Sequence, residues 1–159
     1  MRDLSIDSKG LEGLPFRLLI VAVIMGISIP AVLASWSNAE RQHLENSLNS
    51  ELNYLTVRIV QVYQAGPGNV VTVDVNLESG TFTEIEYVLV GDNLESAWRT
   101  AIRWKLSGQG ENVIAIEDGI PVCSNNGDAL HLSPGWHSIY LETKKEESGL
   151  VFVEISVLD

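Results

Sequence analysis

From Leu18 to Trp36 the chain reads LLIVAVIMGISIPAVLASW, nineteen residues without a charge. A helix of that length is about 28 Å long, close to the hydrocarbon thickness of a bilayer. The pattern then becomes amphipathic instead of breaking into a loop. No Gly or Pro occurs between Ser37 and Gln64, and Leu44, Leu48, Leu52, Leu55, Ile59 and Val62 recur at steps of three or four. That spacing predicts one apolar helical face, with Glu40, Arg41, Glu45, Asn49 and Glu51 mostly off it. Tyr54, Val57, Val60 and Tyr63 widen the stripe before Ala65-Gly66-Pro67-Gly68 ends it. Residues 14–64 are expected to form one helix of about 75 Å, bent at Gly26 and Pro30.

Beyond Gly68 the period changes to two. Val71, Val73, Val75 and Leu77 alternate with Thr72, Asp74 and Asn76; Ile85, Tyr87 and Leu89 alternate with Glu84, Glu86 and Val88. A third run places Trp98, Thr100, Ile102, Trp104 and Leu106 on one face and Arg99, Arg103 and Lys105 on the other. Shorter strands are predicted around Ile114 and Ile116, at Ile120–Cys123 and at Leu130 and Leu132. Longer ones follow at Trp136–Thr143 and Leu150–Leu158. Turn residues separate these runs at Glu78-Ser79-Gly80, Gly91-Asp92-Asn93, Gly108-Gln109-Gly110, Asn126-Gly127, Ser133-Pro134-Gly135 and Lys145–Gly149. Six to eight short antiparallel strands point to a small sandwich or a strongly curved sheet. The expected class is α+β: a leader at 1–10, a hydrophobic-to-amphipathic helix at 11–65 and a β head at 69–159. Leu55, Ile59, Val62 and Tyr63 are expected to pack on the face carrying Val71, Val73, Val75, Trp104 and Val153.

Composition sharpens this division. Only 19 % of the 159 residues are charged and the mean hydropathy is +0.13, yet Asp and Glu outnumber Lys and Arg by 21 to 10. A net charge of −11 repels phosphate backbones, so nucleic acid is not expected as a partner. The one cysteine, Cys123, excludes an intramolecular disulfide and a thiolate zinc cage. Arg2, Lys9 and Arg17 precede the apolar run, which puts the N-terminus inside the cell and the β head outside.

A charged leader, an apolar helix running into an amphipathic one and a C-terminal β domain together resemble the plan of type IV pilin-like proteins. The Lys9-Gly10 junction followed by Leu11 resembles the class III signal of archaeal prepilins. The resemblance implies cleavage after Gly10 by a membrane prepilin peptidase and assembly with copies of the chain or other pilins, as a major or minor subunit of a surface filament. Pilins commonly carry a glutamate five residues into the mature chain; here that position is Pro15, and the nearest acid is Glu12. Glu12, Arg17 and Pro30 are the residues expected to bear on assembly, Glu12 by pairing with the new amine at Leu11.

Two other readings use the same segment differently. One is a single-pass anchor displaying a β-sandwich binding module in the cell envelope. The other is a secretory signal cut after Val32-Leu33-Ala34, although nineteen apolar residues exceed the usual 7–15 of such a signal. Enzymatic chemistry is not expected. His131, His137 and Asp128 would need to converge to hold a metal, and Cys123 in a short apolar strand reads as an inert thiol. Asp118, Asn125, Asn126 and Asp128 are possible calcium ligands, but their types already account for turns. No cofactor, metal or catalytic residue is assigned.

Overall fold

The structure, a computed structural model, describes residues 15–158 in full and residues 8–14 only as helical backbone. The expected processing junction Lys9, Gly10 and Leu11, and the assembly residue Glu12, therefore lie outside the fully described residues. Helix α1 spans Ser8–Ala65 and is followed by eight strands: β1 (Val70–Leu77), β2 (Ile85–Val90), β3 (Ala101–Leu106), β4 (Asn112–Ala115), β5 (Val122–Ser124), β6 (Leu130–Leu132), β7 (Gly135–Lys145) and β8 (Val151–Leu158). The chain divides into two compact units, one ending at Ala39 and the other beginning at Glu40.

In the second unit the strands form two four-stranded sheets, ordered β1-β7-β8-β5 and β4-β3-β2-β6. All pairs are antiparallel except β5 with β8. The expectation of an entirely antiparallel head is corrected at that pair. β5 has three residues, and its Val122 lies beside Val153 in a parallel register. Such a short strand carries no local sign of its direction, which the return path of the chain decides.

The alternation in β1 resolves as read: Val73, Val75 and Leu77 are buried, while Thr72 and Asp74 are exposed. One core receives these side chains together with Val88 and Val90 of β2, Ile102, Trp104 and Leu106 of β3, Ile139 and Leu141 of β7, and Val153 and Ile155 of β8. Leu48, Leu52, Leu55, Ile59 and Val62 of α1 belong to the same core. The helix is thus packed against both sheets, and the α+β class holds. Tyr63 and Val71 are partly buried against this core.

The face assigned to Trp98 is a second correction. Residues 97–100 form a 3-10 turn capped by the Ser96 hydroxyl, which accepts from the Trp98 N–H, so the strand starts only at Ala101. Trp98 leaves the alternation, and its ring lies 5.0 Å from the Arg103 guanidinium instead of sharing the buried side of Trp104.

Polar ties connect α1 to the sheets. The Thr143 hydroxyl donates to the Val62 carbonyl at 2.7 Å. On the edge strand β1, the Asn76 N–H donates to the Glu51 carboxylate at 3.4 Å, so the helix blunts part of an edge that would otherwise be open to another chain. The Glu40 carboxylate accepts from the backbone N–H groups of Thr81 and Phe82. After Ala65, Asn69 Nδ2 donates to the Ala65 and Gly66 carbonyls and satisfies the helix end.

Candidate functional site

The feature of greatest chemical consequence is the apolar first part of α1. Every residue from 15 to 36 is exposed, including thirteen large apolar side chains from Phe16 to Trp36. At about 1.5–3 kcal/mol for each such side chain, covering them is worth on the order of 20–40 kcal/mol. Covering so much apolar surface is strongly favourable, which is compatible with membrane anchoring of the segment. The helix is long and apolar enough to cross a membrane, and none of its most apolar stretch is buried.

Two serine hydroxyls near the end of this segment bond to the backbone of their own helix. Ser35 Oγ donates to the Ala31 carbonyl at 2.9 Å, and Ser37 Oγ to the Ala34 carbonyl at 3.0 Å. Pro15 and Pro30 both lie within the helical span. Pro30 has no N–H to offer the Gly26 carbonyl, so one backbone acceptor is freed in the middle of the apolar run. Arg17, near its start, is exposed.

The helix–sheet residues fall on the other unit. Leu55, Ile59 and Val62 are buried and Tyr63 is half-buried. Periodicity sufficed to find them. Leu44, Leu48 and Leu52 extend the buried stripe toward Glu40, and Thr56 is buried through its hydroxyl bond to the Leu52 carbonyl at 2.9 Å.

The residues weighed for metal or nucleophilic chemistry are dispersed. His131 sits on β6 opposite Leu89, whereas His137 sits on β7 opposite Val75 in the other sheet. His137 Nε2 lies 2.6 Å from the Ser133 carbonyl and so bridges its own turn. His43 is exposed on α1. Asn125, Asn126 and Asp128 belong to a tight connection in which Ser124 N–H donates to the Asp128 carbonyl at 2.8 Å and Gly127 N–H to the Ser124 carbonyl at 2.9 Å. Asp118 supports a separate turn with φ +59°. Among the described residues no group of three His, Cys, Asp or Glu side chains could hold a metal ion. Cys123 is buried, and burial, reinforced by the Glu154 charge, pushes its thiol up to about 11. Such a thiol stays protonated at neutral pH and is a poor nucleophile.

On the outer face of the first sheet, Glu142 and Glu154 stand directly opposite each other. Lys144 relieves that like-charge pair, its Nζ lying 2.6 Å from Glu154 and 3.7 Å from Glu142. The hydrogen bond to Glu154 holds the Lys144 ammonium above its ordinary pKa. These are solvated surface ion pairs.

Fold and segment together define a protein with an exposed apolar helix segment and a two-sheet β head that shares its core with the helix. The chain belongs to the family described as Domain of unknown function (DUF7311), matched over residues 18–158. No curated protein and no solved structure matches it.

Proposed function

We propose that the chain is a structural subunit of an archaeal type IV pilus-like surface filament, held in the membrane before assembly and assembled through its apolar helix. One observation carries the reading. The helix that exposes Phe16 to Trp36 is the same element that buries Leu44 to Val62 in the head, with no Gly or Pro between Ser37 and Gln64 to act as a linker. An ordinary anchor needs only a span and a flexible tether. A filament subunit needs a helix apolar over its first part and integrated with its head over the second, because neighbouring helices replace the lipid that the first part leaves. The family match supports this unity, since it begins at residue 18, the first of the apolar run, and ends with the last strand.

The second reading, a single-pass anchor for an extracellular β module, is favoured by Pro15 at the position where pilins commonly carry glutamate and by Arg17 beside the apolar run. The N-terminus decides between them. Mass spectrometry of the protein from native membranes and shed filaments should find Leu11 first in a pilin, Met1 or Arg2 in an anchor, and Ser35 in a secreted domain. In the filament reading Gly10→Val leaves an uncut, membrane-held precursor. Glu12→Gln is cut but assembles poorly, because the Leu11 amine loses its carboxylate in an apolar surrounding. Residues 1–10 retained on the wild-type protein, with no filament in the culture, would overturn the proposal.

A further inference from the structure

The two sheets end on four edge strands, β1 and β5 in one and β4 and β6 in the other. An edge strand presents unpaired N–H and C=O groups to any chain that can lie beside it. Three of the four are guarded. β1 carries a carboxylate, Asp74, within it, and its Asn76 N–H is bonded to Glu51. On β5 the Val122 carbonyl accepts from the Asp92 N–H, and the Ser124 N–H donates to the Asp128 carbonyl. β6 is only three residues long.

β4 differs. It pairs Ile114 with Ile102 and Asn112 with Trp104, and just beyond it the Ile116 N–H donates to the Thr100 carbonyl at 2.9 Å. Bonding to β3 therefore falls on residues 112, 114 and 116, and the alternation turns the N–H and C=O of Val113 and Ala115 outward. Among the described residues no other backbone group meets them. Val113 is 49 % exposed, Ala115 is exposed too, and the strand Asn112–Ala115 contains neither a charge nor a proline. Charge decides what can lie there. Glu111 precedes the strand and Glu117 and Asp118 follow it, all three exposed. The cations of the adjoining β3 are already paired, Arg103 with Asp92 at 3.5 Å and Lys105 with Glu86 at 2.6 Å. A second copy laid antiparallel about Ile114 would set Glu111 of one copy against Glu117 of the other, with a net charge of −11 on each. A basic strand meets attraction instead.

We propose that the outer edge of β4 takes up an extended segment of a cationic protein partner. The segment adds a strand through its main chain, bonding to Val113 and Ala115. Its residues beside Asn112–Ala115 are uncharged, and a Lys or Arg at each end faces Glu111 on one side and Glu117 and Asp118 on the other. This depends on neither the filament nor the anchor reading. The probe is a short, end-capped, fluorescent peptide of alternating Thr and Val with Lys at each end. It is titrated into the full chain in zwitterionic detergent, and amide hydrogen exchange locates where it binds.

Binding should slow exchange at the Val113 and Ala115 amides. The same peptide with Glu at its ends should bind about tenfold more weakly at low salt, and high salt should close the gap. Val113→Pro removes one outward donor without touching the bonds to β3, and should weaken binding about tenfold. Val113→Lys keeps the backbone donor and sets a cation against the basic peptide; it should weaken binding likewise, which guards against a local defect caused by proline. Glu117→Gln combined with Asp118→Asn should narrow the preference for Lys ends. Absence of binding by the Lys-ended peptide overturns the proposal, as does equal binding of the Glu-ended one. Protection at Thr72 and Asp74 in place of Val113 and Ala115 overturns it in favour of the β1 edge. Val113 and Ala115 amides already protected without peptide, and more so at higher protein concentration, overturn it in favour of a second copy on the edge.

Discussion

The Thr143 hydroxyl donates to the Val62 carbonyl across 2.7 Å, and both residues are buried. Val62 lies in the last turn of α1, where backbone carbonyls lack an intrahelical partner. A side chain from β7, eighty-one positions away in sequence, supplies the missing donor. Thr143→Val keeps the shape, removes the donor and strands a buried acceptor, which should cost about 1–3 kcal/mol. Thr143→Ser, which keeps a hydroxyl, should lose less. Denaturant titration of the full chain in detergent measures both.

The junction between the two sheets depends on the absence of a side chain at Gly91. A Cβ there would lie 2.1 Å from the Val122 carbonyl oxygen, and the residue has φ +65°. The adjacent Asp92 N–H donates to that same oxygen at 3.0 Å, joining the end of β2 to β5. Gly91→Ala combines backbone strain with a clash against main chain and should cost about 3–5 kcal/mol. Gly108→Ala, with a similar φ of +72° but open space around it, should cost only about 1–2 kcal/mol. Equal melting temperatures for the two variants would contradict the close approach.

Removal of the helix should be far more damaging than shortening it. The stripe Leu44, Leu48, Leu52, Leu55, Ile59 and Val62 is buried, and the core loses one wall without it. A fragment of residues 37–159 should melt cooperatively, and one of residues 66–159 should not. Within the longer fragment, Leu55→Ala should cost about 2–5 kcal/mol. Val57→Ala, on the exposed side, should stay within about 0.5 kcal/mol. Circular dichroism melts distinguish these outcomes.

Cys123 gives the head an alkaline sensitivity. Its thiol is raised from 9.0 to about 11 by burial first and by Glu154 second. The folded state therefore holds the proton when the unfolded chain has released it. The sign follows: stability is full below pH 9 and declines between pH 9 and 11, as the unfolded state becomes the one with fewer protons. Cys123→Ala should flatten that part of the profile relative to wild type, measured as the difference in melting temperature across the window. Alkylation of the native protein at neutral pH should be slow, and fast once it is denatured.

Much of this protein is written in local periodicity. The apolar run is legible because nineteen uncharged residues need no partner to declare themselves. The helix stripe from Leu44 to Val62 and the alternation of Val73, Val75 and Leu77 are legible because a single buried side imposes its period on the residues that face it. What escaped the reading by alternation is a local cap in one place and, elsewhere, contacts between residues distant in sequence. Trp98 fits a strand pattern, but the Ser96 cap turns residues 97–100 into a 3-10 segment and puts its ring over Arg103. The parallel pairing of β5 with β8 and the meeting of Gly91 with Val122 carry no short-range sign.

The same limit applies to the chemistry. Exposed segment and buried stripe could be separated on composition and spacing alone, because burial of apolar surface is the largest energy in the molecule and marks the sequence most strongly. The placement of the 78–84 loop against Glu40, and of Trp136 opposite Asn76, could not, because nothing near either in sequence sets it. The antiparallel register of β1 with β7 brings Trp136 to Asn76, and the Glu40 carboxylate, forty-two positions away from Phe82, holds the 78–84 loop. Sequence by itself determined which surfaces must leave water; only the tertiary structure decided which residues ended up side by side.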